Sequence, residues 1–169
     1  MTVASDIRKN FNLFVDGRGF AGQVDEVNAP KLTAKTEDYR AGGMNAPVKL
    51  RMGMEAMDAD FSMHKYDKDV LALFGITATQ DVQFTLREAL ESYDGTVTPV
   101  AHYMRGTVTE MDPGSSKAGE VAPIKVSLNL NYYKLEHGGK VIHEIDLVNM
   151  IHIVNGVDQM AAQRAALAM

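Results

Sequence analysis

The residues of this chain able to do chemistry are five histidines, one short acidic pair, and a loop rich in glycine and serine. His64, His102, His137, His143 and His152 show neither HxxxH nor HExxH spacing, so they do not outline a metal site. Glu144 follows His143, but neighbours on a strand point to opposite faces and cannot converge on one ion. Asp58-Ala59-Asp60 has the DxD form that can hold a divalent ion, and residues i and i+2 of a strand share a face. A solvated strand face explains it better, because three residues supply no further ligand. Gly114-Ser115-Ser116-Lys117-Ala118-Gly119 lacks the lysine that follows the second glycine of a phosphate loop, and a strand follows where the helix should be. No GxSxG elbow occurs, and the absence of cysteine removes any thiol nucleophile. The sequence nominates no catalytic residue, no metal ligand and no cofactor.

Composition narrows the class further. The 169 residues, 46% hydrophobic and 23% charged, suit a single globular domain spanning 1–169 with a real core. Without cysteine, stability has to come from packing or assembly. A formal net charge of -5 argues against tight non-specific nucleic-acid binding, which needs a basic patch. No run approaches the roughly 20 apolar residues of a membrane-spanning helix, and MTVASDIRKN lacks the apolar core of a secretory signal. The expectation is a protein folded in a cytoplasm without membrane anchoring. Five of the eleven methionines (Met44, Met52, Met54, Met57, Met63) cluster together, as adaptable interface or as core filler.

The elements that would position these residues are mostly strands. Ile124 to Asp146 alternates: Ile124, Val126, Leu128 and Leu130 fall on one face, Lys125, Ser127, Asn129 and Asn131 on the other, before a turn at Gly138-Gly139. The alternation slips at Tyr132-Tyr133, which predicts a bulge or bend there. Asn12 to Val24 reads as a hairpin turned at Asp16-Gly17, and Val82 to Glu91 with Val97 to Met111 as another, turned at Tyr93-Asp94-Gly95. Pro99 fits such a sheet only at an edge or irregularity. KLTAKTEDY (31 to 39) is polar and β-capable, RAGGMNAP is a loop, and strands follow on either side of a break near Gly53 to Ala56. Asp67 to Phe74 reads as a short helix capped by Asp67 and stopped at Gly75. Alanine-rich Val157 to Met169 reads as a terminal helix with Asp158 in its first turn.

Several segments together resemble one family, the major tail tube proteins of contractile-tailed phages and of R-type tailocins. They are NLFVDGRGFAG (12 to 22), LTAKTEDYRAGGMNAPVKL (32 to 50), MGMEAMDADFS (52 to 62), MRGTVTEMDPGSSKAGE (104 to 120) and NYYKLEHGGKVIHEIDLVNMIHIVNGVDQ (131 to 159). YRAGGM and IDxVNxxxxVNGVDQ are the most specific.

The resemblance implies a mainly β fold, an antiparallel β-sandwich or barrel with one short internal helix and a C-terminal helix. Long hairpins would join a β-barrel shared between subunits. It implies a structural protein whose hexameric rings stack into the inner tube of a contractile tail, a conduit for DNA and a rod driven through the cell envelope. Its partners would be itself, the tail sheath protein, a baseplate hub, a tail terminator, and a tape-measure protein and DNA passing inside. The particle would be a virion tail or tailocin assembled in the bacterial host cytoplasm. On this basis Lys125, Ser127, Asn129 and Asn131 are expected to face the lumen. Tyr39, Arg40, Gly42, Gly43, Met44, Met52, Met54 and Met57 are expected in an extended loop reaching a neighbouring subunit, and Asp112, Ser115, Ser116 and Lys117 in a second contact loop. Two alternatives stay open: the tube of a related secretion or injection system, and a monomeric β-barrel with an internal pocket.

Overall fold

A computed structural model describes residues 3–75 and 81–169. The described residues form twelve strands: β1 (Ile7–Val15), β2 (Arg18–Gly19), β3 (Val24–Asn28), β4 (Ala34–Tyr39), β5 (Val48–Met54), β6 (Met57–Met63), β7 (Val82–Glu91), β8 (Val97–Asp112), β9 (Ile124–His137), β10 (Lys140–Asp146), β11 (Ile151–Val154) and β12 (Val157–Asp158). Two short helices, α1 (Lys68–Leu71) and α2 (Ala161–Ala166), accompany them. The main sheet runs β12-β11-β10-β9-β8-β7-β1-β2, with β6 also paired to β9 and β3 to β6; β4 and β5 form a separate hairpin. Every ladder is antiparallel.

Period-two patterning builds this sheet. Met57, Ala59, Phe61 and Met63 of β6 point inward with Val82, Phe84 and Leu86 of β7, Met104 and Val108 of β8, and Ile124, Val126, Leu128 and Leu130 of β9. The rings of Phe61 and Phe84 lie 6.0 Å apart although β9 and β8 separate their strands in the pairing order. The sheet therefore curls on itself. Its β1 edge comes up against β3, so that β3-β6-β9-β8-β7-β1 wraps almost into a barrel around one apolar core. Each large side chain so buried contributes about 1.5–3 kcal/mol.

The expected internal helix is present but ends after four residues. Asp67 caps it by accepting a hydrogen bond from the Asp69 amide at 3.0 Å, and Val70 anchors it in the core. The C-terminal helix is shorter than its alanine content predicts, because Val157 pairs with Val154 across the Asn155-Gly156 turn and forms β12 instead. Asp16-Gly17, Gly138-Gly139 and Asn155-Gly156 all take positive φ at both turn residues, the geometry a two-residue hairpin requires. The strand returning from Asp16-Gly17 is only two residues long, since Phe20 turns into the core. Pro99 lies where β8 runs off the end of its β9 ladder, its carbonyl accepting from the Gly138 amide at 2.8 Å.

β9 contains the irregularity expected near Tyr132-Tyr133. Against β8 the register jumps between Leu130 and Tyr132, so Asn131 is the extra residue, and burial passes from Leu130 to Tyr133. β9 also changes partner here. Its first half pairs with β6 and its second with β10, while β8 runs alongside both. Simple counting back from Gly138-Gly139 sets Tyr132 opposite Ile145. A second bulge, at Ile142, moves Tyr132 opposite Asp146.

Candidate functional site

Two exposed features stand out, a polar sheet face and a projecting hairpin. On the first half of β9, Lys125, Ser127 and Asn129 stand on the outer face, beside Ser62, Asp60 and Asp58 of β6. Glu110 and Asp112 of β8 flank Ser127 and Lys125, and Asn28 and Glu26 of β3 continue the row beyond β6. Asn129 donates to Asp58 at 2.8 Å, and Asn28 to Asp60 at 2.9 Å. The DxD pair thus belongs to a hydrogen-bonded wall that also carries Glu26, Glu110 and Asp112, with the Lys125 ammonium 3.8 Å from Asp60. This acidic character was hidden in the sequence, because the carboxylates come from strands far apart in the chain. Asn131, at the bulge, leaves the row and donates to Asp81 at 2.7 Å.

Beyond the bulge the same face turns aromatic and basic. Arg105 stacks on Tyr132 with its guanidinium carbon 5.1 Å from the ring centroid, and the Lys134 ammonium lies 4.5 Å from that of Tyr103. Burial, and then the hydrogen bond it donates to Glu144 at 3.0 Å, push the Tyr132 hydroxyl up to about 12, so it stays protonated.

Hairpin β4–β5 projects from this body. Its pairing places Glu37 with Leu50 and Tyr39 with Val48 on one face, and Thr36 with Arg51 and Asp38 with Lys49 on the other. Tyr39, Val48, Leu50 and Met52 are each about half exposed. Arg40 donates to the Met44 carbonyl at 3.2 Å, closing a turn in which Gly43 holds φ +86 and Gly42 has open space around it. Met54 packs partly against the core, and Met57 is fully buried as the first residue of β6. The projecting segment therefore ends before Met57, which fills core; strand alternation out of the Gly53 break decided this. In the other expected contact loop, the Asp112 carboxylate accepts from the Gly114 amide at 2.9 Å, Ser115 and Ser116 are exposed, and Lys117 pairs with Glu120 at 3.4 Å.

The structure also assembles groups that sequence reasoning left scattered. His102, inward-facing on β8, bridges the Tyr133 hydroxyl at 2.9 Å and the Glu88 carboxylate at 3.2 Å, and Arg8 reaches the other oxygen of Glu88 at 2.7 Å. Burial is the largest influence on Glu88 and raises its pKa. The His102 hydrogen bond and the Arg8 charge together outweigh it and hold the carboxyl below its ordinary value. Burial, then the charge of Glu88, pushes the Tyr133 hydroxyl up to about 12. The shared inward parity of His102 and Met104 was the only sequence signal for this cluster.

The IDLVNMIHIVNGVDQ stretch is equally architectural. Asp146 accepts from the amides of Val148 and Asn149, both at 3.1 Å, and from the Asn149 side chain at 2.7 Å, fixing the turn into β11. Asp158 accepts from the Met160 amide at 2.9 Å and from Arg164 at 2.5 Å, and Arg164 also donates to the Met150 carbonyl at 2.7 Å. These bonds hold α2 against the turn. Between α2, β10–β11 and the base of the β4–β5 hairpin lies a groove of about 730 Å³. Among the described residues no group of three His, Asp or Glu side chains is placed to hold a metal ion.

The curled antiparallel sheet with its projecting hairpin is a contractile-injection tube fold. It superposes on the sheath/tube terminator of the extracellular contractile injection system PVC with a TM-score of 0.58 at 14% identity, covering 75% of this chain and 92% of that one. The extended PVC sheath-tube complex gives 0.57 at 14% identity, with 75% and 87% covered, and the tube-terminating cap of the anti-feeding prophage gives 0.57 at 15%, with the same shares. In sequence, the chain is 36% identical over 160 residues to the tail tube protein of Escherichia phage P2, covering 92% of this chain and 93% of the relative. It is 35% identical over 148 residues to the major tail tube protein of Serratia phage KSP20, covering 86% and 85%. The family model for phage tail tube protein FII matches residues 6–167, and the chain belongs to that family.

Proposed function

We propose that copies of this chain close into six-membered rings and stack into the inner tube of a contractile tail, within its sheath. A terminator caps one end, a baseplate hub holds the other, and a tape-measure protein and then DNA occupy the lumen. The observation that carries this reading is the polar wall over the first half of β9: a continuous hydrogen-bonded outer face on a sheet whose β3 edge, although it comes up against β1, forms no ladder on that side among the described residues. An open edge invites pairing with another chain, and closing a barrel across subunits removes it. Lys125, Ser127 and Asn129 then line the lumen among Asp58, Asp60, Glu110 and Asp112. An acidic lining repels a polyanion and lets it slide, whereas a basic one would hold it through counterion release. The β4–β5 hairpin and the Asp112 to Glu120 loop supply contacts between subunits. The particle is a virion tail or tailocin put together in the host cytoplasm, and the role is mechanical rather than enzymatic.

Negative-stain electron microscopy of the purified protein over a concentration series tests this. Tubes or six-fold rings are the expected result. A monodisperse monomer at every concentration would overturn it.

A further inference from the structure

The leading half of β1 is held to the body by little. Residues 3–10 are all exposed, and among the described residues their only ladder is the one to β7, since β2 pairs no further than Phe14 and Val15. Two exposed hydrogen bonds add to it, from the Asp6 amide to the Ser92 hydroxyl at 3.1 Å and from the Tyr93 amide to the Ala4 carbonyl at 3.0 Å. Asp6 takes a left-handed φ of +53, uncommon for a residue with a side chain. Lys9 is an extra residue in the ladder: Arg8 stands opposite Leu90 and Asn10 opposite Ala89, so Lys9 has no partner. Both features cost free energy, and something must offset them.

The bulge decides which cation turns inward. Leu13 and Phe11 pack into the core opposite Leu86 and Glu88, so an unbroken ladder would turn Lys9 inward opposite Leu90 and Arg8 outward opposite Glu91. The extra residue reverses this. Arg8 comes inward, and its Nε lies 2.7 Å from one oxygen of Glu88. Glu88 is buried on β7 and faced by Arg8 of β1, by His102 of β8 and, through His102, by the Tyr133 hydroxyl of β9. With Tyr133 donating to Nδ1 of His102 and Nε2 of His102 donating to the carboxylate, every hydrogen bond of the cluster converges on one negative charge. A buried ion pair of this kind is suited to fixing register.

We propose that the leading half of β1 is a two-register switch: the Glu88 carboxylate holds the bulged register by drawing Arg8 inward, and when that charge is lost the segment slips one residue into an unbroken ladder with Lys9 opposite Leu90. The slip turns every side chain from 3 to 8 to the other face and so changes the surface offered along this edge of the sheet. It is an acid-side event. Glu88 titrates below its ordinary value of 4.5 in the folded chain, so the bulged register is complete at neutral pH and is lost as pH falls through that lowered value. The switch works within one subunit and does not depend on ring formation.

Paired cysteines in the otherwise cysteine-free chain read the register directly. Ile7→Cys with Glu91→Cys are partners in the bulged ladder, and Ile7→Cys with Ser92→Cys in the unbroken one; a disulfide needs the two Cβ atoms on one face, about 4 Å apart. The whole chain is oxidised in dilute solution at pH 7 and its free thiols are titrated. The first pair is expected to close roughly tenfold more than the second, the preference a charge-assisted hydrogen bond supplies. Glu88→Gln is expected to reverse this. Arg8→Ala, which alters an exposed side chain and keeps the test open should Glu88→Gln fail to fold, is expected to reverse it as well, because Lys9 is then the cation within reach. Lys9→Ala is expected to leave the preference unchanged. The first pair dominating in Arg8→Ala as it does in the parent would overturn the switch, since the backbone alone would then fix the register. Closure of neither pair in Arg8→Ala would overturn it too, since the segment would then detach instead of slipping.

Discussion

A Cβ added to Gly106 would stand 2.1 Å from the carbonyl oxygen of Asn129 and 2.8 Å from the Leu130 Cα. β8 and β9 approach this closely because Asn131 is squeezed out of the ladder beside them, and only a residue without a side chain fits opposite the bulge. Both contacts are backbone, which cannot swing aside. Gly106→Ala is therefore expected to destabilise the subunit by about 1–3 kcal/mol. A lowered urea midpoint at unchanged m-value would show it; an unchanged midpoint would mean the strands can part.

Glu88 gives the fold an acid-side liability. Its folded pKa lies below the ordinary value of 4.5, so its contribution is complete above about pH 4.5 and is lost as pH falls toward the folded value. Asp146, lowered from 3.8, adds loss at still lower pH: burial raises it, and the Asn149 hydrogen bonds and the Arg105 charge outweigh that. Thermal melts from pH 7 down to pH 3 should show the melting temperature falling below about pH 4.5. Glu88→Gln should be less stable at pH 7 and show a shallower fall.

Truncating the same carboxylate is more severe. Glu88→Ala leaves His102 buried without its acceptor and Arg8 without its partner. The expected cost at neutral pH is about 1–3 kcal/mol, that of leaving buried hydrogen-bonding groups without a partner. Chemical denaturation at pH 7 measures it, and a loss under about 1 kcal/mol would show that the cluster relaxes or hydrates.

Proline at Gly43 conflicts with the observed φ of +86, since proline holds φ near −65°. Replacing Gly42 and Gly43 together should disrupt the hairpin turn, block tube formation and leave the core folded. Circular dichroism with electron microscopy separates the two effects. Normal tubes from this variant would remove the hairpin from stacking.

Asp158→Ala should free α2. The Arg164 side chain loses one of its two anchors, keeping only the Met150 carbonyl. Global stability should change little, because the pair holds only the terminal helix, while limited proteolysis should remove the C-terminal residues faster.

Reversing the polar wall tests its chemistry. Asp58→Lys with Asp60→Lys should still permit assembly, since both side chains face outward, but tubes carrying them should retain DNA in a salt-dependent way. Tubes that bind no DNA at low salt would argue that this wall is not the lumen surface.

Local chemistry made the elements readable from sequence. Alternation along Ile124 to Leu130, the Asp16-Gly17 and Gly138-Gly139 turns, the Asp67 cap and the slip at Tyr132-Tyr133 each depend on neighbours within a few residues, as the steric and hydrogen-bonding rules behind them do. Three matters depended on which distant strands meet, and only the tertiary structure decided them. Met57 belongs to the core because β6 lies against β9, the acidic wall exists because β3, β6 and β8 bring carboxylates to Lys125, and His102 is held because β7 and β9 flank β8 with Glu88 and Tyr133. Register over long sequence separations sets all three. No local pattern carries it, because one extra residue, at Asn131 or Ile142, turns every later side chain to the other face.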